Sequence, residues 1–201
     1  MIGQNAITWL ATLLLASPQP AADARGPAAP ATRYAIVVTG NELLSGVYAD
    51  GHTYFLTRTL RPLGLHCVGA MCVDDNRRDL KEALRFAADK APLVIVTGGL
   101  GPTDNDVTRE ALSDFTGIAL AEHRDVLKRM AQRFGVPPDR LRANLRRQTR
   151  VPTRGTYLEN SHGTAVGLVF EAPQTVIVAL PGPPRELQPK ATPRPLPQRH
   201  P

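Results

Sequence analysis

The sequence predicts one α/β domain: a mostly parallel, doubly wound sheet with an antiparallel addition near its end. Three observations carry that expectation. Residues 34–39 and 93–97 are short, continuously apolar runs, as expected of strands covered on both faces. Between them lie stretches with leucine and alanine at helical spacing, so strand and helix alternate along the chain. The second run leads straight into Gly98-Gly99-Leu100-Gly101 and then into another helical stretch, giving the order strand, glycine turn, helix.

Taken in order, Tyr34-Ala35-Ile36-Val37-Val38-Thr39 is the first strand and stops at Gly40. Phe55, Leu56, Leu60 and Leu63 place a helix over residues 51–63, with Pro62 fraying its last turn and Gly64 ending it. Residues 65–73 form the second strand, and Asp74-Asp75-Asn76 supply capping oxygens for a helix through Leu80, Ala83, Leu84 and Ala87. Pro92 breaks that helix before the third strand, residues 93–97. Helices are expected over 107–116, 122–134 and 139–148, followed by short strands around Tyr157, 165–170 and 175–180.

The prolines bound this domain. Of 201 residues, 19 are proline, and they gather before Ala31 and after Leu180. Regular structure therefore belongs to residues 33–188, with a separate segment at 1–32 and a proline-rich tail at 189–201 expected to be disordered. In the first segment, residues 6–16 are apolar but too short to span a bilayer comfortably, and Ala22-Asp23-Ala24 suits signal cleavage. Met1 to Asn5 contain no Lys or Arg, so the reading stays divided: export to the periplasm if the signal operates, a disordered cytoplasmic extension otherwise.

Charge and cysteines exclude some functions. The net charge of +6 draws on arginines crowded into residues 124–154, which read first as solvated helix faces. Without zinc-finger spacing or clustered aromatics, nucleic acid is not the expected partner, whereas a phosphate-bearing small molecule is. Cys67 and Cys72 stand five apart in one strand, which puts them on opposite faces and roughly 16 Å apart, too far for a disulfide and more in keeping with small buried side chains.

Ligands of an open parallel sheet sit where strands hand over to loops at their carboxyl ends. Gly98, Gly99 and Gly101 let the backbone approach an anion there, and the helix starting near Asp106 favours negative charge. Thr97 and Thr103 flank this turn as ligand-binding candidates. Asp104 and Asp106 would repel a phosphate unless a cation such as Mg²⁺ stood between them, so one is expected to cap the helix and Asp106 to face the ligand. The loop after the first strand adds Asn41, Glu42, Ser45 and Asp50, and the loop after the last strand adds Gly182 and Glu186. Glu42, Asp50 or Glu186 could complete metal binding or orient an attacking water. The expected set is thus Asp106 and Glu186 for catalysis and Asp50, Asp104 and Asp106 for metal. His52, His66, His123 and His162 are scattered and read as ordinary residues.

Four segments together, GNELLSG at residues 40–46, TGGLGPTDNDVTREA at 97–111, ANLRRQ at 143–148 and LPGPPRE at 180–186, resemble the N-terminal domain of the CinA family. Residues 50–64 also resemble the related domain fused to eukaryotic FAD synthases. The resemblance spans about residues 33–188 and implies a three-layer α/β/α fold of the MoaB/Mog-like, molybdopterin-binding kind. It implies a molybdopterin ligand, as in some relatives, or divalent-metal-dependent hydrolysis of ADP-ribose, as in others; a homo-oligomer is compatible with either. By resemblance, Gly98, Gly99, Gly101, Thr103, Asp106, Gly182 and Glu186 match the family's motif positions. Asn41 stands where the family commonly has Asp, and Asp50-Gly51-His52 where it has Asp-Thr-Asn, so binding is a safer expectation than turnover. The C-terminal amidohydrolase domain of such proteins has no counterpart in the sequence, and its activity is expected to be absent. A catalytically idle binding or assembly module is the third expectation.

Overall fold

The computed structural model describes residues 32–183 and 186–187. The expectations for the signal-like segment and the proline-rich tail fall outside these residues. Strand β1 (Arg33–Thr39) is followed by a single helical turn, α1 (Asn41–Leu44), and then by α2 (Gly51–Leu60). Asp50 starts α2 by accepting hydrogen bonds from the amides of His52 and Thr53, donors that a helix N-terminus leaves unsatisfied. The α-helix stops at Leu60, three residues before the expected end, because Pro62 lies in a 3₁₀ turn that Gly64 closes at φ 78°.

Next come β2 (His66–Val73), α3 (Arg77–Lys90) and β3 (Leu93–Thr97). Of the three capping candidates before α3, Asn76 takes the role, accepting from the Asp79 amide while its own Nδ2 donates to the Asp79 carboxylate. Helix α4 (Thr108–Thr116) follows the glycine turn. The chain closes with β4 (Leu120–Glu122), α5 (Arg124–Phe134), α6 (Ala143–Arg147), β5 (Arg150–Pro152), β6 (Gly155–Leu158), β7 (Gly167–Glu171) and β8 (Val176–Leu180).

Six strands form one sheet in the order β2-β1-β3-β8-β7-β6, parallel from β2 to β8 and antiparallel through β7 and β6. Alternate residues of β1 divide the core. Ala35 and Val37 join Leu80, Leu84, Leu112 and Val126 on one side, while Tyr34, Ile36 and Val38 join Leu56, Leu60 and Leu187 on the other. Both faces of the central strands are therefore covered by helices, which is the three-layer arrangement expected of an all-apolar strand. Each fully buried Leu or Ile of these layers contributes about 1.5–3 kcal/mol from burial.

Three expectations need correction. The helix expected over 122–134 begins only at Arg124, since residues 120–122 pair with β5 as an antiparallel ribbon. The helix expected over 139–148 is split: a 3₁₀ turn at Pro138–Arg140 precedes extended backbone at Leu141 and Arg142, where Leu141 is buried, and only Ala143–Arg147 is helical. Cys67 and Cys72 are half-buried rather than buried, and both pack against the same core side. The register with β1 slips by one between Cys67 and Gly69, and a bulge of that kind turns every later side chain to the other face. Both thiols are free, as expected.

Candidate functional site

The carboxyl ends of β1, β3 and β8 lie side by side, because β1 pairs with β3 and β3 with β8, all parallel. Their loops share one cavity of about 720 Å³, lined among others by Glu42, Gly98, Gly99, Gly101, Gly182 and Glu186. Its size is that of a pocket for a whole nucleotide-sized molecule rather than for a lone ion.

The glycine turn is tight from several sides. Gly98 takes φ 100° and donates its amide to the Leu180 carbonyl, tying the turn to the neighbouring β8. A Cβ on Gly98 would fall inside 3.0 Å of the Thr39 carbonyl oxygen, and one on Gly99 inside 3.0 Å of the Thr108 hydroxyl. Asp106 holds the far half of the turn: Oδ1 accepts from the Gly101 amide at 2.7 Å, and Oδ2 accepts from the Thr103 amide at 2.8 Å and the Thr103 hydroxyl at 2.5 Å. From outside, the Arg147 guanidinium donates to the Thr103 carbonyl and Gln148 Nε2 to the Leu100 carbonyl, the latter at 3.0 Å. The segment ANLRRQ thus clamps the glycine turn from behind.

This geometry reassigns part of the sequence-predicted set. Glu42, Gly98, Gly99, Gly101, Thr103, Asp106, Gly182 and Glu186 line the cavity. Thr97 is fully buried just beneath it and meets the His52 ring. Asn41 and Ser45 do not line it: the Asn41 amide and side chain are tied to Asp75 and Asp74, and the Ser45 hydroxyl folds back onto the Glu42 carbonyl. Asp106, expected to face a ligand, is occupied by the turn, so the amides of Gly101 and Thr103 are taken by the protein's own carboxylate. Asp104 points to solvent with Arg147 at 3.7 Å, and Asp50 is spent as the α2 cap.

The three carboxylates expected to bind metal therefore do not converge. Among the described residues no group of three or more His, Cys, Asp or Glu side chains is placed to hold a metal ion. Asp75, a further carboxylate at the cavity, accepts from the Thr39 hydroxyl at 2.9 Å and the Asn41 amide at 3.1 Å. The described residues thus form no complete protein cage for a divalent ion.

Two residues escaped the sequence reading. Thr108 opens α4, whose first turn receives no side-chain cap from Val107. Its hydroxyl is fully buried against Gly99 and has no hydrogen-bond partner among the described residues. The threonine that closes Asp106-Val107-Thr108 at a helix start was the available signal. His52, read as ordinary, lines the cavity and shares a 2.8 Å hydrogen bond between its Nδ1 and the Thr97 hydroxyl. Nearby Arg109 is wholly buried, and burial pushes its guanidinium down to about 10, with Glu110 and Asp106 acting to keep it charged and Arg147 and Arg150 against.

Burial holds the His52 imidazole below its ordinary 6.5, against the charges of Asp50 and Glu42 and the Gly182 backbone, which act the other way. The unfolded chain therefore takes up this proton first as pH falls. Stability contributed by the neutral ring is complete above the unfolded value and is lost as pH drops through the folded one. Urea unfolding at about pH 7.5 and about pH 5.5 should show wild type losing more stability than His52→Asn between the two. Equal losses would mean that the ring does not titrate differently on folding.

Comparison with known proteins bears on this site. Residues 35–191 match the family described as "Probable molybdopterin binding domain". The "CinA-like protein" of Desulfovibrio desulfuricans is 39% identical over 158 residues, which cover 78% of this chain and 37% of that protein. The chain spans 36 to 40% of the length of the first curated relatives it matches. Among solved structures, CinA of Thermoplasma acidophilum superposes with TM-score 0.74 at 27% identity, covering 80% of this chain and 94% of that one. MoaB of Pyrococcus furiosus, a tungsten cofactor synthesizing protein, superposes with TM-score 0.53 at 20% identity, covering 81% and 90%; at that distance the likeness is one of fold.

Proposed function

The chain belongs to the family of probable molybdopterin binding domains, on its match over residues 35–191, and from that premise we propose that its cavity holds a phosphorylated nucleotide or pterin by the phosphate end. One observation carries the reading: the N-terminus of the nine-residue α4, which no side chain caps and whose first amide, that of Thr108, is taken by the Gly99 carbonyl, meets the cavity wall at Gly99, with the buried, unpartnered Thr108 hydroxyl beside it. A helix N-terminus concentrates positive potential from its unsatisfied amides, and glycine at this point removes the side chain that would keep an anion away. A phosphate there would give the Thr108 hydroxyl an acceptor.

The finer reading is hydrolysis of ADP-ribose, in which water attacks one phosphorus, its bond to the bridging oxygen breaks, and that oxygen leaves with the other phosphate, giving AMP and ribose 5-phosphate. It draws on the CinA-type relatives and on Glu186, which lines the cavity and is held by a 2.7 Å hydrogen bond from Asn160 Nδ2, as a residue for accepting the proton of that water. No step is assigned to a metal here; among the described residues no three metal-ligating side chains converge on one point. The second reading, capture of a pterin phosphate without turnover, draws on the family's description.

Calorimetric titration with ADP-ribose, AMP and neopterin monophosphate, in buffer with and without Mg²⁺ or Mn²⁺, separates these readings. We expect saturable binding of at least one of them and its loss in Thr108→Val. AMP appearing on incubation with ADP-ribose supports hydrolysis, binding without AMP leaves the holding role, and no binding to any of the three overturns the proposal.

A further inference from the structure

The cavity has an apolar side that phosphate binding leaves unused. Leu43, Tyr48 and Ala49 line it from the loop after β1. Within five residues of that loop, Leu44, Val47 and Tyr48 are 54%, 63% and 67% exposed, an unfavourable arrangement for large apolar side chains unless something covers them. The loop backbone is nonetheless pinned: Gly46 reverses it at φ 75°, and the amides of Val47 and Tyr48 both donate to the Glu42 carbonyl, at 3.0 and 3.3 Å. Tyr48 is thus an exposed ring on a fixed support.

The other exposed aromatic rings help to decide what this one is for. A guanidinium lies over Tyr54, from Arg58 at 5.4 Å, and an ammonium over Phe86, from Lys90 at 5.4 Å. Among the described residues no cation or aromatic ring stacks on Tyr48 or on Phe134. Of these two, Tyr48 alone lines the cavity. A bare ring face beside a volume of about 720 Å³ that ends at an anion-favouring helix terminus matches a molecule with phosphate at one end and a flat ring at the other.

We propose that Tyr48 is a ring-stacking subsite of this cavity, taking the planar nitrogen heteroaromatic end of the ligand, purine or pterin. The inference rests on the phosphate-holding reading above and adds the part of the ligand that confers discrimination. Stacking of a base on an aromatic side chain is sequence-tolerant and changes affinity by about tenfold or more. Tyr48 is consequently a residue for affinity and selectivity between ringed and ringless phosphates, and not a residue of the chemical step.

The test titrates AMP, neopterin monophosphate and ringless ribose 5-phosphate into wild type, Tyr48→Phe and Tyr48→Ala, with folding checked by circular dichroism. Wild type should bind AMP or the pterin about tenfold more tightly than ribose 5-phosphate; Tyr48→Ala should lose that advantage with ribose 5-phosphate unchanged, and Tyr48→Phe should keep it. A fluorescent etheno-AMP probe should be quenched on binding wild type and not on binding Tyr48→Ala. Whichever of AMP and the pterin shows the Tyr48-dependent gain identifies the ring. Equal affinity of wild type for ringed and ringless phosphates, or an unaltered AMP and pterin affinity in Tyr48→Ala, overturns the subsite while the phosphate reading stands. Failure of wild type to bind any of the three overturns both.

Discussion

Asp106→Ala is expected to lose about 3 kcal/mol of stability and, with it, at least about a hundredfold in ligand affinity. The expectation follows from what its two oxygens do. They accept from two backbone amides and one hydroxyl inside the glycine turn, at 2.5 to 2.8 Å. Hydrogen bonds to a charged acceptor contribute about 1.5–3 kcal/mol each before non-additivity, and the three share one carboxylate, which caps the sum. Asp106→Asn should be nearly as harmful, because an amide nitrogen in place of either oxygen would face the donors at Gly101 or Thr103. The control is Asp104→Ala. That carboxylate is fully exposed and, among the described residues, is ion-paired only with Arg147 at 3.7 Å, so its loss should leave stability essentially unchanged. Urea unfolding of the three variants decides the matter. An Asp106→Ala protein as stable as Asp104→Ala would mean that the carboxylate serves the ligand and not the turn.

Gly98→Ala should be comparably severe, at about 3 kcal/mol or more, a large share of the roughly 5–15 kcal/mol that holds such a domain together. Two costs combine there. The backbone stands at φ 100°, which L side chains rarely adopt, and a Cβ would press on the Thr39 backbone carbonyl, which cannot swing aside as a side chain can. Gly117→Ala and Gly135→Ala isolate the first cost, since both glycines have positive φ, at 68° and 63°, with nothing within 4 Å of the added carbon. Those variants should lose only about 1 kcal/mol. If Gly98→Ala proved no worse than they are, the close approach of the β1 and β3 loops would be looser than described. Because Gly98 joins those loops at the cavity, its replacement should also weaken whatever the cavity holds.

Much of the fold was legible because its signals are local. Apolar runs at β1 and β3 and the leucines of α2 and α3 declare themselves within a few residues. The β4–β5 ribbon was not legible, since each strand has three residues and acquires its identity from a partner about 30 positions away. The bulge in β2 that brings Cys67 and Cys72 to one side is equally silent, as no residue type compels it. At the site, the motif loops were found, but the division of labour inside them was not. Asp104 and Asp106 are chemically identical, and only the path of the turn decides which one folds inward. Asn41 and Ser45 failed as cavity residues because Asp74 and Asp75, from the end of β2, capture the Asn41 end of their loop. His52 looked isolated in sequence because its hydrogen-bond partner, Thr97, lies 45 residues on.

The clamp on the glycine turn has a bearing on the order in which the molecule matures. Arg147 and Gln148 secure carbonyls 44 and 48 positions earlier, and β3 completes its second edge only with β8. A nascent polypeptide that has emerged only as far as α5 carries the whole turn sequence yet has neither its rear support nor one of its side walls. Contacts of such span close late, after loop entropy has been overcome. Ligand capture during synthesis should therefore begin only once β8 has left the ribosome, making occupancy of this cavity a report on completed folding.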